Sequence, residues 1–193
     1  MLVPDDVPLM LHISGRRCPE IFHLTSIIAK IDPTEFTQLE ISSNILKDRK
    51  VQEVGVQNIL SIVSRWTNLE RVALVGLPIS SQSVTNLEKL KHLSRITIDS
   101  PNVDTKLLAD QPFWTRMTGV SLNSMQADDI ISKLSHSTNL NTLNLVQTKF
   151  SPSSLRALRT CSNLQTLLLE DTAIGSDFLE ALCQLKQLKE LDR

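Results

Sequence analysis

The chain has 193 residues, a formal net charge of −1 and 41% hydrophobic residues, a balance typical of a folded, soluble domain. Its nearly neutral charge excludes strong sequence-independent attraction to nucleic acid or to an anionic membrane. Aromatic residues make up only 4% and Tyr is absent, so stacking surfaces for bases are scarce. We therefore expect no nucleic-acid partner and no membrane partner.

The N-terminal segment predicts a strand followed by a helix. Leu9, Leu11 and Ile13 alternate as in a strand with one buried face. Pro19 and Glu20 then open a helix whose apolar residues share one face, namely Ile21, Leu24, Ile27, Ile28 and Ile31. We interpret residues 1–35 as a degenerate first repeat or an N-terminal cap.

From residue 36 onward, an apolar triplet with the spacing L-x-x-L-x-L returns along the chain. The triplets begin 24, 24, 23, 24 and 24 residues apart, at Leu69, Leu93, Met117, Leu140, Leu164 and Leu188. An earlier copy begins at Phe36, 33 residues before Leu69. A fixed step of this length is the signature of a repeat protein, in which units bury their apolar faces against their neighbours. Residues 36–193 are therefore predicted to form one solenoid, with an incomplete last repeat.

Each repeat predicts a short strand, a turn and a helical segment. In one middle repeat, Leu143 and Leu145 alternate and face the core, whereas Asn144 between them faces solvent. Leu155 and Leu158, three residues apart, then indicate a helix. The pattern predicts about seven stacked parallel strands of two to four residues, centred near residues 40, 73, 97, 121, 144, 168 and 190.

This pattern resembles the leucine-rich-repeat superfamily, clearly over residues 36–193 and weakly over residues 8–35. The segment 140–145, Leu-Asn-Thr-Leu-Asn-Leu, with Thr148 and Phe150 after it, is similar to short repeats common in bacterial proteins. The resemblance implies an α/β right-handed solenoid, a horseshoe with a concave parallel sheet and helices on the convex side. It also implies a protein-binding role and no catalysis. The superfamily usually carries a turn-stabilising Asn where this chain has Leu77, Pro101, Met125, Thr148 and Thr172, so less regular turns are expected.

Residues that could carry chemistry are few. An odd number of widely spaced cysteines predicts reduced and mostly buried thiols, at Cys18, Cys161 and Cys183. The four histidines share no metal-ligand spacing, and the sequence has no glycine-rich phosphate loop, so no metal or cofactor is expected. Asp5 and Asp6 stand where a signal peptide needs positive charge, which favours a cytoplasmic location.

The strand register assigns a set of side chains to the concave face. The candidate partner-binding residues are Glu40, Arg71, Arg95, Asp99, Asn123, Asn144 and Glu170. Arg71 and Arg95 stand one repeat apart, at about 5 Å, which is the usual strand spacing. Like charges at that distance destabilise a sheet unless an acidic group intervenes. Either Asp99 neutralises the two arginines, or the arginines await a carboxylate from a partner.

The pattern as a whole predicts a non-catalytic scaffold for protein–protein recognition through the concave face, with a protein partner that the sequence does not identify. One alternative is a substrate-receptor arm of an F-box-type ubiquitin-ligase assembly, because residues 28–35 resemble the end of such a helical module. Another is an enzyme with Cys161 or Cys183 as nucleophile, although neither has a His nearby in sequence.

The sequence stops partway through the strand predicted near residue 190. An open strand edge and a half-built core invite association. We therefore expect either a continuation of the chain in a longer protein or end-on self-association through the C-terminal repeat.

Overall fold

The computed structural model describes residues 9–14, 21–42, 49–101, 103–173 and 175–192. Within these ranges, eight parallel strands form one open sheet in chain order. They are β1 Met10–Ser14, β2 Gln38–Ser42, β3 Arg71–Val75, β4 Arg95–Asp99, β5 Gly119–Asn123, β6 Thr142–Asn144, β7 Thr166–Leu168 and β8 Glu190–Asp192. Because each strand pairs with the next one along the chain, the protein is an α/β solenoid. The predictions on Asp5, Asp6, Cys18, Pro19 and Glu20 concern positions outside the described residues.

The predicted strand positions and register are confirmed, and the predicted length of two to four residues holds for β6 to β8 but is too short for β1 to β5. The central core residues are Cα partners from strand to strand, as in the pairs Val120↔Leu143 and Leu143↔Leu167. The sheet has eight strands in the described residues, because β1 also pairs with β2 over its whole length. Strands β1 to β5 have five residues each, since their pairing extends beyond the core residues at both ends.

Helical segments connect the strands and cover the buried side of the sheet. They are α1 Ile21–Ile28, α2 Arg49–Val63, α3 Ser81–Glu88, α4 Thr105–Ala109, α5 Asp128–Leu134, α6 Pro152–Ala157 and α7 Ser176–Cys183, with 3-10 turns at Pro112–Arg116 and Leu158–Thr160. Each helix contacts the helix of the next repeat. None of those in the described ranges is long and apolar enough to cross a membrane.

One helix face differs from its prediction. Ile27 was placed on the inner face of α1, yet its side chain is 59% exposed, whereas Ile28 is buried. Leu24 and Ile31 pack against the core together with Ile28. Positions three and four apart share one helix face, and Ile27 lies at the margin of the stripe that these three residues form.

The turns after β5, β6 and β7 are more regular than the missing Asn predicted. Ser124, Gln147 and Asp171 follow successive strands at the same repeat position, and all three have left-handed backbones with φ of 58°, 55° and 54°. Thr148, where the superfamily usually has Asn, donates its buried hydroxyl to the carbonyl oxygens of Leu122 and Val146. A threonine hydroxyl thus satisfies turn carbonyls that a side-chain amide would otherwise bond.

Candidate functional site

The solvent-facing side of the sheet, here called the concave face, presents three rows of side chains that run across the strands. The first row is Met10, Gln38, Arg71, Arg95, Gly119, Thr142, Thr166 and Glu190. The second row is His12, Glu40, Ala73, Thr97, Ser121, Asn144, Leu168 and Asp192. The third row is Ser14, Ser42, Val75, Asp99 and Asn123. Alternation with buried core residues fixes all three rows on one side.

These rows bring together most of the predicted candidates. Glu40, Asn144 and the two arginines lie in the first two rows, and Asp99 and Asn123 lie at the carboxyl ends of their strands. Glu170 lies two residues beyond β7, so it borders the face without belonging to a strand. Their common placement follows from the repeat, because equivalent positions of successive repeats stack at the strand spacing.

Glu40 is already engaged by a residue that the sequence did not single out. His12 of β1 lies with its Nε2 atom 3.4 Å from the Glu40 carboxylate and 3.3 Å from the Ser42 hydroxyl. The alternation of Leu11 and Ile13 was the signal that placed His12 on the solvent side. The register of the clear repeats begins at residue 36 and therefore did not include His12, which lies in the segment interpreted as a degenerate first repeat or an N-terminal cap.

Arg71 and Arg95 are Cα partners on β3 and β4, and both side chains are exposed. Among the described residues, no carboxylate oxygen lies within 4.0 Å of either guanidinium. Asp99 stands at the opposite end of β4 from Arg95, about 13 Å away along the strand at its usual rise. The interpretation that Asp99 neutralises the two arginines is therefore wrong.

Beside the arginines, small side chains leave a shallow concavity of about 460 Å³ in the face. Its lining includes Arg71, Arg95, Thr97, Gly119, Ser121 and Asn144. Two of the polar groups are held by local hydrogen bonds. Ser121 donates its hydroxyl to Asn123 Oδ1 at 3.3 Å, and Asn144 Oδ1 accepts the Val146 N–H at 2.9 Å. The concavity thus has a mixed polar and apolar lining, with its positive charge at one side.

The C-terminal end of the concave face is acidic. A hydrogen bond with Asp192, together with the negative charges of Asp192 and Asp171, raises the pKa of Glu170 above its ordinary value. Glu190 also lies in this region and accepts a hydrogen bond from the Thr166 hydroxyl at 3.1 Å. The face therefore carries its unpaired positive charges near the middle and a group of carboxylates at one end.

The cysteines differ from each other in environment. Cys161 is buried, its Sγ atom lies 3.2 Å from the Leu134 carbonyl oxygen, and burial raises the pKa of its thiol to about 11. A thiol with that pKa is almost entirely protonated at neutral pH and is a poor nucleophile. Cys183 is exposed on α7, so the expectation of mostly buried thiols is wrong for this residue. In the part of the chain that the structure describes, no group of three His, Cys, Asp or Glu side chains could hold a metal ion.

No protein-family model and no curated protein matches the sequence. Among solved structures, the chain is similar to an internalin (inlF) from Listeria monocytogenes, at 16% sequence identity and a TM-score of 0.48. The match covers 83% of this chain and 55% of the internalin chain, so this chain spans about half the length of that protein. A likeness of this extent says nothing about partners or activity. The leucine-rich-repeat-like fold is instead evident from the parallel sheet itself, in which the repeated triplets supply buried residues such as Leu140, Leu143 and Leu145.

Proposed function

We propose that the chain is a non-catalytic scaffold that recognises another protein through its concave face. The observation that carries this proposal is the concavity beside Arg71 and Arg95, which has a mixed polar and apolar lining and lies near the centre of an eight-stranded face. At the usual strand spacing, eight strands span about 34 Å, which suits an extended protein segment better than a small molecule. A parallel sheet with a continuous core behind it holds these side chains in fixed positions, which reduces the entropy lost on binding.

The test compares one blocking substitution with a matched control. Peptides that bind the wild-type protein would first be selected from a random display library. Their affinity would then be measured for the wild type, for Ser121→Phe and for Ser132→Phe. Ser121 lines the concavity, whereas Ser132 is exposed on α5, on the helical side. We expect Ser121→Phe to reduce binding at least about tenfold, because a buried steric clash at an interface centre removes well-packed contacts. Equal binding by both variants, at unchanged denaturant midpoints, would contradict recognition through the concave face.

A second candidate is end-on association of two copies of this chain. Leu179 on α7 is 47% exposed, Leu191 on β8 is 48% exposed, and within the described residues β8 pairs with β7 alone. Exposed leucines next to an open strand edge favour association. Leu167 and Leu169 of the preceding repeat are buried, and Leu167 is the Cα partner of Leu191 on β8.

Sedimentation velocity over a range of concentrations tests this second candidate. Leu179→Asn is expected to shift the protein towards monomer, whereas Val54→Asn, at a 45% exposed position on α2, is the matched control. A wild-type protein that remains monomeric at high concentration would rule out end-on association.

A further inference from the structure

We propose that Arg71 and Arg95 form a clamp for a single carboxylate, supplied by an isolated Asp or Glu side chain of the segment that the concave face binds. This inference rests on the proposed function, because it names the chemistry of the partner at that same surface. It goes further in assigning the interaction to two residues and in excluding a polyanionic partner.

The first argument is the unpaired charge. Arg71 and Arg95 are direct Cα partners on adjacent strands, about 4.8 Å apart, and both point away from the core. Like charges that face each other across a sheet are destabilising, and no described carboxylate lies near enough to neutralise them. Each guanidinium has a planar set of donors that matches a carboxylate, so one carboxylate can accept hydrogen bonds from both side chains.

The second argument is the space beside the arginines. Gly119 is the Cα partner of Arg95 on β5, and a Cβ atom built there would lie 3.4 Å from Arg95 Cγ and 3.8 Å from Cδ. The aliphatic stem of Arg95 therefore lies over the glycine. A larger side chain at position 119 would compete with that stem for the same space and would fill part of the concavity. Gly119 thus makes room for the stem of Arg95, whose side chain lines the concavity.

The third argument concerns what kind of anion fits. Glu40 lies on the same face on β2, the strand next to that of Arg71, and Asp99 lies at the far end of β4 from Arg95. A run of phosphates or of acidic residues would approach these carboxylates and be repelled, whereas one isolated carboxylate would not. None of the three rows contains a Phe or Trp on which a base could stack. The observations therefore favour a protein segment with one acidic side chain over a nucleic acid.

The experiment uses two pools of fluorescein-labelled nonapeptides with randomised neutral flanks, one with a central Glu and one with a central Gln. Fluorescence anisotropy with the full chain is expected to show at least about tenfold tighter binding of the Glu pool, as charge-assisted hydrogen bonds allow. Arg71→Ala and Arg95→Ala should each abolish most of this preference. Arg71→Lys should restore only part of it, because an ammonium lacks the planar set of donors.

Two further variants test whether the preference for Glu depends on the placement of the two arginines. They exclude overall charge and loss of folding as its cause. Arg159→Ala removes an exposed positive charge on the helical side and should leave the preference for Glu unchanged. Gly119→Val keeps both arginines but crowds the stem of Arg95, and we expect it to weaken the preference several-fold. Urea midpoints equal to that of the wild type establish that each variant is folded.

The outcomes distinguish the clamp from the proposed function. Equal binding of both pools, still blocked by Ser121→Phe, would overturn the clamp and leave recognition through the concave face intact. Binding of neither pool, or binding that Ser121→Phe does not affect, would overturn both. If a labelled dT oligonucleotide binds more tightly than the Glu pool and this binding is lost in Arg71→Ala, then the arginines bind a nucleic acid and not a protein segment.

Discussion

The carboxylate of Asp128, in the first turn of α5, accepts hydrogen bonds from the backbone N–H of Ser151 at 2.8 Å and from its hydroxyl at 2.7 Å. Ser151 is also the N-cap of α6, where its hydroxyl oxygen accepts the Ser154 N–H at 3.3 Å. The Ser154 hydroxyl bonds to the same carboxylate oxygen of Asp128. One side chain therefore ties the start of a helix to the start of the next, and such contacts between neighbouring repeats determine the stability of a solenoid.

We predict that Asp128→Ala lowers the free energy of unfolding by about 1–3 kcal/mol, because it leaves Ser151 and Ser154 without their charged acceptor. Asp129→Ala is the matched control, since Asp129 is exposed in the same helical turn. Urea unfolding followed by circular dichroism measures both. Equal losses for the two variants would show that the inter-repeat hydrogen bonds contribute nothing beyond the effect of a carboxylate at a helix start.

The contribution of Asp128 should also depend on pH. Partial burial disfavours its charged form, but the hydrogen bonds from Ser154 and Ser151 outweigh burial and lower the pKa of Asp128 below its ordinary value of 3.8. A carboxyl group with a lowered pKa stabilises the native state above its unfolded pKa, and this stabilisation is lost as pH falls through the folded pKa. The stability difference between wild type and Asp128→Asn should therefore be largest near neutral pH and shrink below 3.8. A difference that is constant from pH 7 to pH 2.5 would contradict this prediction.

The sequence predicted the sheet well because the period of the repeat and the alternation of strands act together. Leu143 could be placed in the core and Asn144 on the concave face from spacing alone, and both positions are confirmed. The bond between Asp128 and Ser151 was not predicted, because it joins residues 23 positions apart in helix-start regions with no apolar period. Side-chain direction in such a region depends on tertiary geometry that spacing does not encode.

Asn144 needs a different prediction from the one that spacing alone gives. A solvent-facing position, taken alone, predicts that Asn144→Ala has almost no effect on stability. In the structure, Asn144 Oδ1 accepts the Val146 N–H, so we expect a loss of about 0.5–1.5 kcal/mol. Leu143 is fully buried, and Leu143→Ala should cost about 2–5 kcal/mol. Denaturant midpoints of the two variants test the order, and an equal or larger shift for Asn144→Ala would contradict it.

Substitutions of Thr148 test whether its hydroxyl stabilises the turn in place of the Asn side chain that the superfamily usually has there. Its side chain is buried, and its hydroxyl donates to the carbonyl oxygens of Leu122 and Val146. Thr148→Val keeps the shape but removes the donor, and we expect a loss of about 1–3 kcal/mol because the buried hydrogen bond to the Leu122 carbonyl oxygen is lost. Thr148→Asn, which restores an amide donor, should be less damaging. Thermal unfolding of both variants decides between the two outcomes, and a neutral Thr148→Val would show that the hydroxyl is dispensable.

Glu170 should have the opposite pH dependence from Asp128. Its hydrogen bond with Asp192 and the charges of Asp192 and Asp171 raise its pKa above 4.5. A carboxyl group with a raised pKa destabilises the native state once pH exceeds the folded pKa, and this destabilisation disappears as pH falls below the unfolded pKa. Glu170→Gln should therefore raise the unfolding midpoint at pH 7 and leave it unchanged at pH 3. A lower midpoint at pH 7 would mean that the Glu170 carboxylate is stabilised by its surroundings.

The repulsion between Arg71 and Arg95 should be measurable in the free protein, without any ligand. Arg95→Gln removes one charge and keeps most of the stem that lies over Gly119, so packing changes little. At low ionic strength we expect this variant to be more stable than the wild type by up to about 0.5 kcal/mol. The gain should vanish near 1 M NaCl, where the Debye length is about 3 Å and the repulsion is screened. Arg159→Gln, at an exposed position on the helical side, should show no such dependence on salt.

Guanidinium chloride is itself a salt, so urea is the denaturant for this comparison. If Arg95→Gln is less stable than the wild type at every salt concentration, then Arg95 already makes a favourable interaction in the free protein. The two arginines would then carry no repulsion for a carboxylate to relieve.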